Sequence, residues 1–156
     1  LPTIRSRCIS FAVAPVSPED CARYCTAQGV GAKDAALYSA LFDGHIGTVL
    51  AAARDEARRE QVDRALALAK AAAARDSYAA AVLLAAYEKD KAGASALLAD
   101  FRGVAAAGLR DSPHSPVEGE TARKALGAAD AAMQQVSAQV NPKIVLSVLA
   151  AKFRTF

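Results

Sequence analysis

Alanine restricts what this chain can fold into more than any other residue. The sequence is 53% hydrophobic but only 6% aromatic, and alanine supplies much of the apolar content, as in Ala79-Ala80-Ala81-Val82-Leu83-Leu84-Ala85-Ala86. Alanine has the best helix propensity, and its small side chain lets helices approach closely. The expected fold is therefore all-α, with Ala-rich seams between helices. Its 156 residues suffice for one ordinary domain or two small ones.

Start and stop signals divide the chain further. Ser17 is a good N-cap, Pro18 suits the first helical position, and Glu19 and Asp20 favour the positive end of the helix dipole. This predicts a helix over 18–27 that stops near Gly29 and Gly31. Two more short helices are predicted, from Ala32 to before Gly44 and over 46–53. Longer helices should follow over 56–74, 77–88, 92–107, 119–139 and from Pro142 to near the end, where Asn141 is the cap. Gly108 is the expected stop of the 92–107 helix. The expected core stripes are Val62, Leu66, Ala69 and Ala73, then Leu97, Phe101 and Val104, then Leu126, Ala129, Met133, Val136 and Val140. The last helix carries Ile144, Val145, Val148, Leu149 and Phe153. Strand-like alternation is confined to Ile9-Ser10-Phe11-Ala12-Val13. Ser112-Pro113-His114-Ser115-Pro116 is the clearest loop, and 112–118 is the segment expected to be mobile.

Charge and cysteine usage narrow the function classes. A formal net charge of +3 is too small to argue for a nucleic-acid surface. Bases are interspersed with acids, as in Arg54-Asp55-Glu56-Ala57-Arg58-Arg59-Glu60, a solvated helix face. No apolar stretch approaches the roughly 20 residues of a membrane span. Three cysteines, Cys8, Cys21 and Cys25, fit a reducing cytoplasm better than a disulfide framework. Cys21 and Cys25 share a helix face and could ligate a metal with partners elsewhere, but His45 and His114 sit in different contexts and no further cysteine pair exists. Packed free thiols are the favoured reading.

Three strings carry a resemblance. Leu1-Pro2-Thr3-Ile4-Arg5-Ser6-Arg7-Cys8 resembles the Ser-Arg-Cys segment of bacterial DNA polymerase III clamp-loader subunits. Gly44-His45-Ile46-Gly47-Thr48-Val49-Leu50 resembles the start of that family's third lid helix, with Gly47 standing where an ATP-contacting arginine would be. Asn141-Pro142-Lys143-Ile144-Val145-Leu146 resembles the opening of the last helix in many delta-prime subunits. The helix order matches along the whole chain, but the specific motifs lie at its two ends.

The resemblance implies a C-terminal portion of a delta-prime-type subunit, beginning inside its parent. Residues 1–13 would be the end of an AAA+ nucleotide-binding domain, with a strand remnant. Residues 14–55 would be a three-helix lid, and 56–156 a roughly five-helix collar through which subunits assemble. Arg7 would be an arginine finger acting in trans on a neighbour's ATP, flanked by the motif residues Ser6 and Cys8. A guanidinium suits that task, being always charged and fork-shaped. Arg5 would be an exposed neighbour. The implied partners are the gamma/tau and delta subunits, and through them the sliding clamp and primed DNA.

No Walker A loop or Walker B acidic run occurs in the sequence, so ATP hydrolysis by that route is not expected of this chain. No cofactor or metal is implied, and the loss of the arginine at Gly47 agrees with a subunit that does not hydrolyse ATP. Two alternatives stand beside this reading: a gamma-type ATPase subunit cut at the same place, and an unrelated helical adaptor that binds a partner helix. The lone strand 9–13 is expected either to pair in a homodimer or to lie on the helices and hide Ile9 and Phe11.

Overall fold

The computed structural model describes residues 16–156. The strand 9–13 and the Arg5–Cys8 motif therefore lie outside the described residues. The rest is all-helical: α1 (Pro18–Ala27), α2 (Ala32–Leu41), α3 (Ile46–Arg54), α4 (Glu56–Ala73), α5 (Ser77–Ala85), α6 (Lys91–Leu109), α7 (Gly119–Ser137) and α8 (Pro142–Lys152), closed by a 3-10 turn, Phe153–Thr155. No strand occurs among the described residues.

Side-chain caps set most helix starts. Ser17 Oγ accepts from Asp20 N at 3.1 Å. Asp55 accepts from Ala57 N, Asp76 from Ala79 N and Asp90 from Gly93 N. Asn141 accepts from Lys143 N at 3.0 Å, just ahead of Pro142. Each bond satisfies an amide that the helix itself leaves without a partner.

The first two helices stop beside the expected glycines, Gly29 (φ 88) and Gly44 (φ 74), while other stops follow a different rule. Several turns use non-glycine residues with left-handed backbone: Asp43 (φ 51), Arg75 (φ 55), Asp111 (φ 54) and Gln139 (φ 66). α6 runs through Gly108, and Asp111 makes the turn instead. Gly108 is glycine because a Cβ there would collide with the Val117 carbonyl oxygen and sit 2.9 Å from Ser115 Oγ. Gly44 is needed on both counts, with φ +74 and the Val16 backbone pressed against it.

The first three helices pack on one another, α3 runs into α4, and α2 also rests on α6. α6 pairs with α7 and α4, while α5 pairs with α8. Buried side chains form one connected cluster from Cys21 to Phe156, with Phe101 and Phe153 at its centre and their rings 5.8 Å apart. Alanine fills the seams: Ala65, Ala69, Ala72, Ala122, Ala125 and Ala129 are fully buried.

Three of the expected stripes shift. Ala73 and Val140 face solvent, and Leu66, Leu126 and Met133 are half-buried. Ala65 and Leu68 on α4, and Ala122, Ala125 and Ala132 on α7, take the inner positions. On α7 the reason is size, because its alanine seam brings the neighbouring helix too close for a long side chain; on α4 the buried stripe is rotated so that Leu68 rather than Leu66 faces inward. The α6–α7 loop is tethered. Ser115 is buried, its hydroxyl lies within hydrogen-bond reach of both Val104 O (2.9 Å) and Val117 O (3.0 Å) and donates its one hydrogen between them, and Val117 is buried too.

Candidate interaction surface

α5 and α8 lie side by side, and their ends define their direction. Lys143 Nζ, at the start of α8, is 3.3 Å from Glu88 Oε2, just past the end of α5. The two helices are therefore antiparallel. Both turn an apolar face inward: Ala80 and Leu84 from α5, and Val145, Leu146, Leu149 and Ala150 from α8.

Both also turn an apolar face outward. On α5, Tyr78 is 79% exposed and Val82 58% exposed, with exposed Ala81 and Ala85 on the adjoining turns. On α8, Ile144 is 59% exposed and Val148 46% exposed, with exposed Ser147 and Ala151. Each set falls at i, i+3, i+4 and i+7, the spacing of one helical stripe. Small residues line the crease between the helices, which Ala81, Ala85, Leu146 and Ser147 border. Glu88 and Lys143 stand at one end and Lys152 near the other, so neither stripe carries a charge of its own. A surface helix is ordinarily polar on the side away from its core. Two adjacent helices break that rule together, Val148 lying toward α7 beside Ala131 and Gln135, and exposed apolar side chains grouped in this way make the pair a candidate interaction surface.

A magnitude limits what the patch can do alone. Covering the exposed parts of Tyr78, Val82, Ile144 and Val148 yields roughly 4–7 kcal/mol gross, at 1.5–3 kcal/mol for each fully buried side chain. Association of two proteins costs about 4–15 kcal/mol in lost freedom. The patch therefore suits one part of a larger interface rather than a tight pairwise contact of its own.

The positions singled out in the sequence do not converge. Ser6, Arg7 and Cys8 lie outside the described residues. Gly47 is exposed in the first turn of α3, with open space where a side chain would stand. Cys21 and Cys25 are fully buried in α1. Burial, and next the neighbouring Cys21, push the Cys25 thiol up. It stays protonated at neutral pH and is a poor nucleophile and ligand. His45 caps α3 at the surface, while His114 sits in the α6–α7 loop. Among the described residues no three His, Cys, Asp or Glu side chains gather as a metal site, and no helix is long and apolar enough to cross a membrane.

One further hollow, of about 480 Å³, opens between α1, α2 and the α6–α7 loop over Ala22, Ala36 and Ala40. Its one cationic wall, Arg110, is already engaged, donating to Ala40 O at 3.1 Å and lying 3.6 Å from Asp43.

The sequence marks α8 as strongly apolar through Ile144, Val145, Val148, Leu149 and Phe153 but does not show that Ile144 and Val148 turn outward. A signal was present: those five positions spread over half the helix circumference at 100° per residue, wider than a narrow buried stripe. No family model, curated protein or solved structure matches the chain.

Proposed function

We propose that this chain is a non-hydrolysing assembly subunit of the bacterial clamp-loader delta-prime type, and that α5 and α8 present its contact face to a neighbouring subunit. In this reading residues 14–55 are the lid, residues 56–156 the collar, and residues 1–13 the end of the nucleotide-binding module. The work is mechanical and cytoplasmic. The subunit holds a ring together while gamma/tau and delta subunits load a sliding clamp on primed DNA, and Arg7 acts across a subunit boundary.

The observation that carries the reading is the outward stripe of Tyr78, Val82, Ile144 and Val148. A subunit built to assemble needs an uncharged face on its bundle. Support also comes from the order of three short helices followed by five, and from the Asn141-Pro142 start of α8. The same face favours the second reading, a helical adaptor, since a shallow crease with Leu84 and Leu146 at its base and Ala81, Ala85 and Ser147 at its rim offers an apolar seat to a partner helix.

Co-expression separates the two. A tagged chain co-expressed with clamp-loader gamma and delta subunits is expected to retain both through affinity and size-exclusion steps. Val82→Asp with Ile144→Asp is expected to abolish retention while the far-UV circular dichroism is kept. A wild-type chain that retains neither subunit contradicts the clamp-loader reading and leaves the adaptor.

A further inference from the structure

The covalent connection between α3 and α4 is a single residue. Asp55 is extended (φ −106, ψ 117) and is both the last cap of α3 and the first cap of α4. One extended residue does not fix the angle between the elements it joins. Side chains across the junction must do so.

Arg58, in the first turn of α4, is placed for that. Its guanidinium lies 5.3 Å from the centroid of the Phe42 ring, at the end of α2. The same guanidinium grips Asp100 of α6 with both Nη atoms, Nη2 to Oδ1 at 2.6 Å and Nη1 to Oδ2. Gln61 Nε2 donates to Asp100 Oδ2 at 2.7 Å. Asp100 is only 7% exposed, so its carboxylate has little water to turn to if Arg58 leaves. Beside this contact the Leu41 carbonyl oxygen comes so close to α6 that a Cβ on Gly103 would lie 3.0 Å from it. The end of α2 thus touches α6 through a stacked guanidinium on one side and a bare glycine on the other.

We infer that Arg58 is a latch: by stacking on Phe42 while forking onto Asp100, it sets the angle at which α1–α3 stand on the α4–α8 bundle. A lysine cannot replace it, because a point charge neither stacks flat nor binds both carboxylate oxygens. A partner that displaced Phe42 or Asp100 would loosen this side of the junction, leaving Arg110 on Ala40 O and Asp43 to hold the other. The inference does not depend on the ring-assembly reading, since it concerns only the two parts of this chain.

The test is a distance between them. Spin labels on Lys33→Cys in α2 and Gln134→Cys in α7, both exposed sites, are placed in a Cys8→Ser background, leaving the fully buried Cys21 and Cys25 in place. Pulsed dipolar spectroscopy should give one narrow distance in the parent chain. In Arg58→Lys and Phe42→Leu the distribution is expected to shift or broaden while helix content is unchanged. An unchanged distribution in either folded variant overturns the latch. So does loss of folding in both, which would make Arg58 a stability element and no more.

Discussion

The same substitution at two glycines should move stability in opposite directions. Gly127 and Gly108 both sit inside helices, α7 and α6. A Cβ on Gly127 meets nothing within 4 Å, so Gly127→Ala gains the helix-propensity difference alone, about 0.8–1 kcal/mol. Gly108→Ala gains the same amount but drives its methyl into the Val117 carbonyl oxygen and against Ser115 Oγ. Overpacking of this kind costs about 1–3 kcal/mol. The loop must also back away, stretching the Ser115 Oγ contact with Val104 O, which is the one that crosses to α6 and is worth about 1 kcal/mol. The net for Gly108→Ala is a loss of about 1–3 kcal/mol, and the two variants should differ by about 2–4 kcal/mol. Urea unfolding followed at 222 nm reads this directly, provided the transition stays two-state. Equal stability for the two variants would refute the close packing of the α6–α7 loop on α6.

Other consequences are simpler. Ser39 is fully buried, and its Oγ has no hydrogen-bond partner among the described residues. Ser39→Ala should be neutral or stabilising by up to about 1 kcal/mol, and a clear drop in urea midpoint would show that the hydroxyl has a partner. Asn141→Ala should cost about 1 kcal/mol through loss of the α8 cap, visible as a lowered thermal midpoint, whereas an unchanged midpoint would mean that Pro142 suffices. Burial raises the Cys25 thiol, and with it the folded-state pKa lies above the unfolded one. Its contribution is complete below the unfolded pKa of about 8.5 and is lost as pH rises toward the folded value. Stability should therefore fall through the alkaline range, and Cys25→Ala should flatten part of that fall; parallel pH profiles for parent and variant would contradict the burial of Cys25.

Helix positions were legible in the sequence because they depend on neighbours in the chain. Ser17-Pro18 and Asn141-Pro142 are the local start signals read in the sequence, and α1 and α8 begin there; Asp55, Asp76 and Asp90, not singled out in the sequence, cap α4, α5 and α6 in the same way. The end of α6 was not legible from Gly108, since that glycine answers to Val117, nine residues away across a loop. Gly103 is similar: glycine ordinarily weakens a helix interior, yet here it stays helical and faces Leu41 of α2. The burial of Asp100 and its grip on Arg58 had no sequence signature at all. A lone aspartate in an apolar helix and an arginine in a charged run, 42 positions apart, look like ordinary surface residues until the helices pack. The outward stripe of α8 was only half legible. Its apolar width was in the sequence, but which positions face inward depends on where α5 and α7 lie.

Assembly through the bundle is the claim most open to direct measurement. Sedimentation velocity of the chain mixed with gamma and delta subunits should show a single heavier complex that contains all three. The boundary should revert to the separate components when Val82 and Ile144 both become aspartate. If the mixture sediments as its separate parts with the parent sequence, or the complex survives the double substitution unchanged, α5 and α8 are not the assembly face.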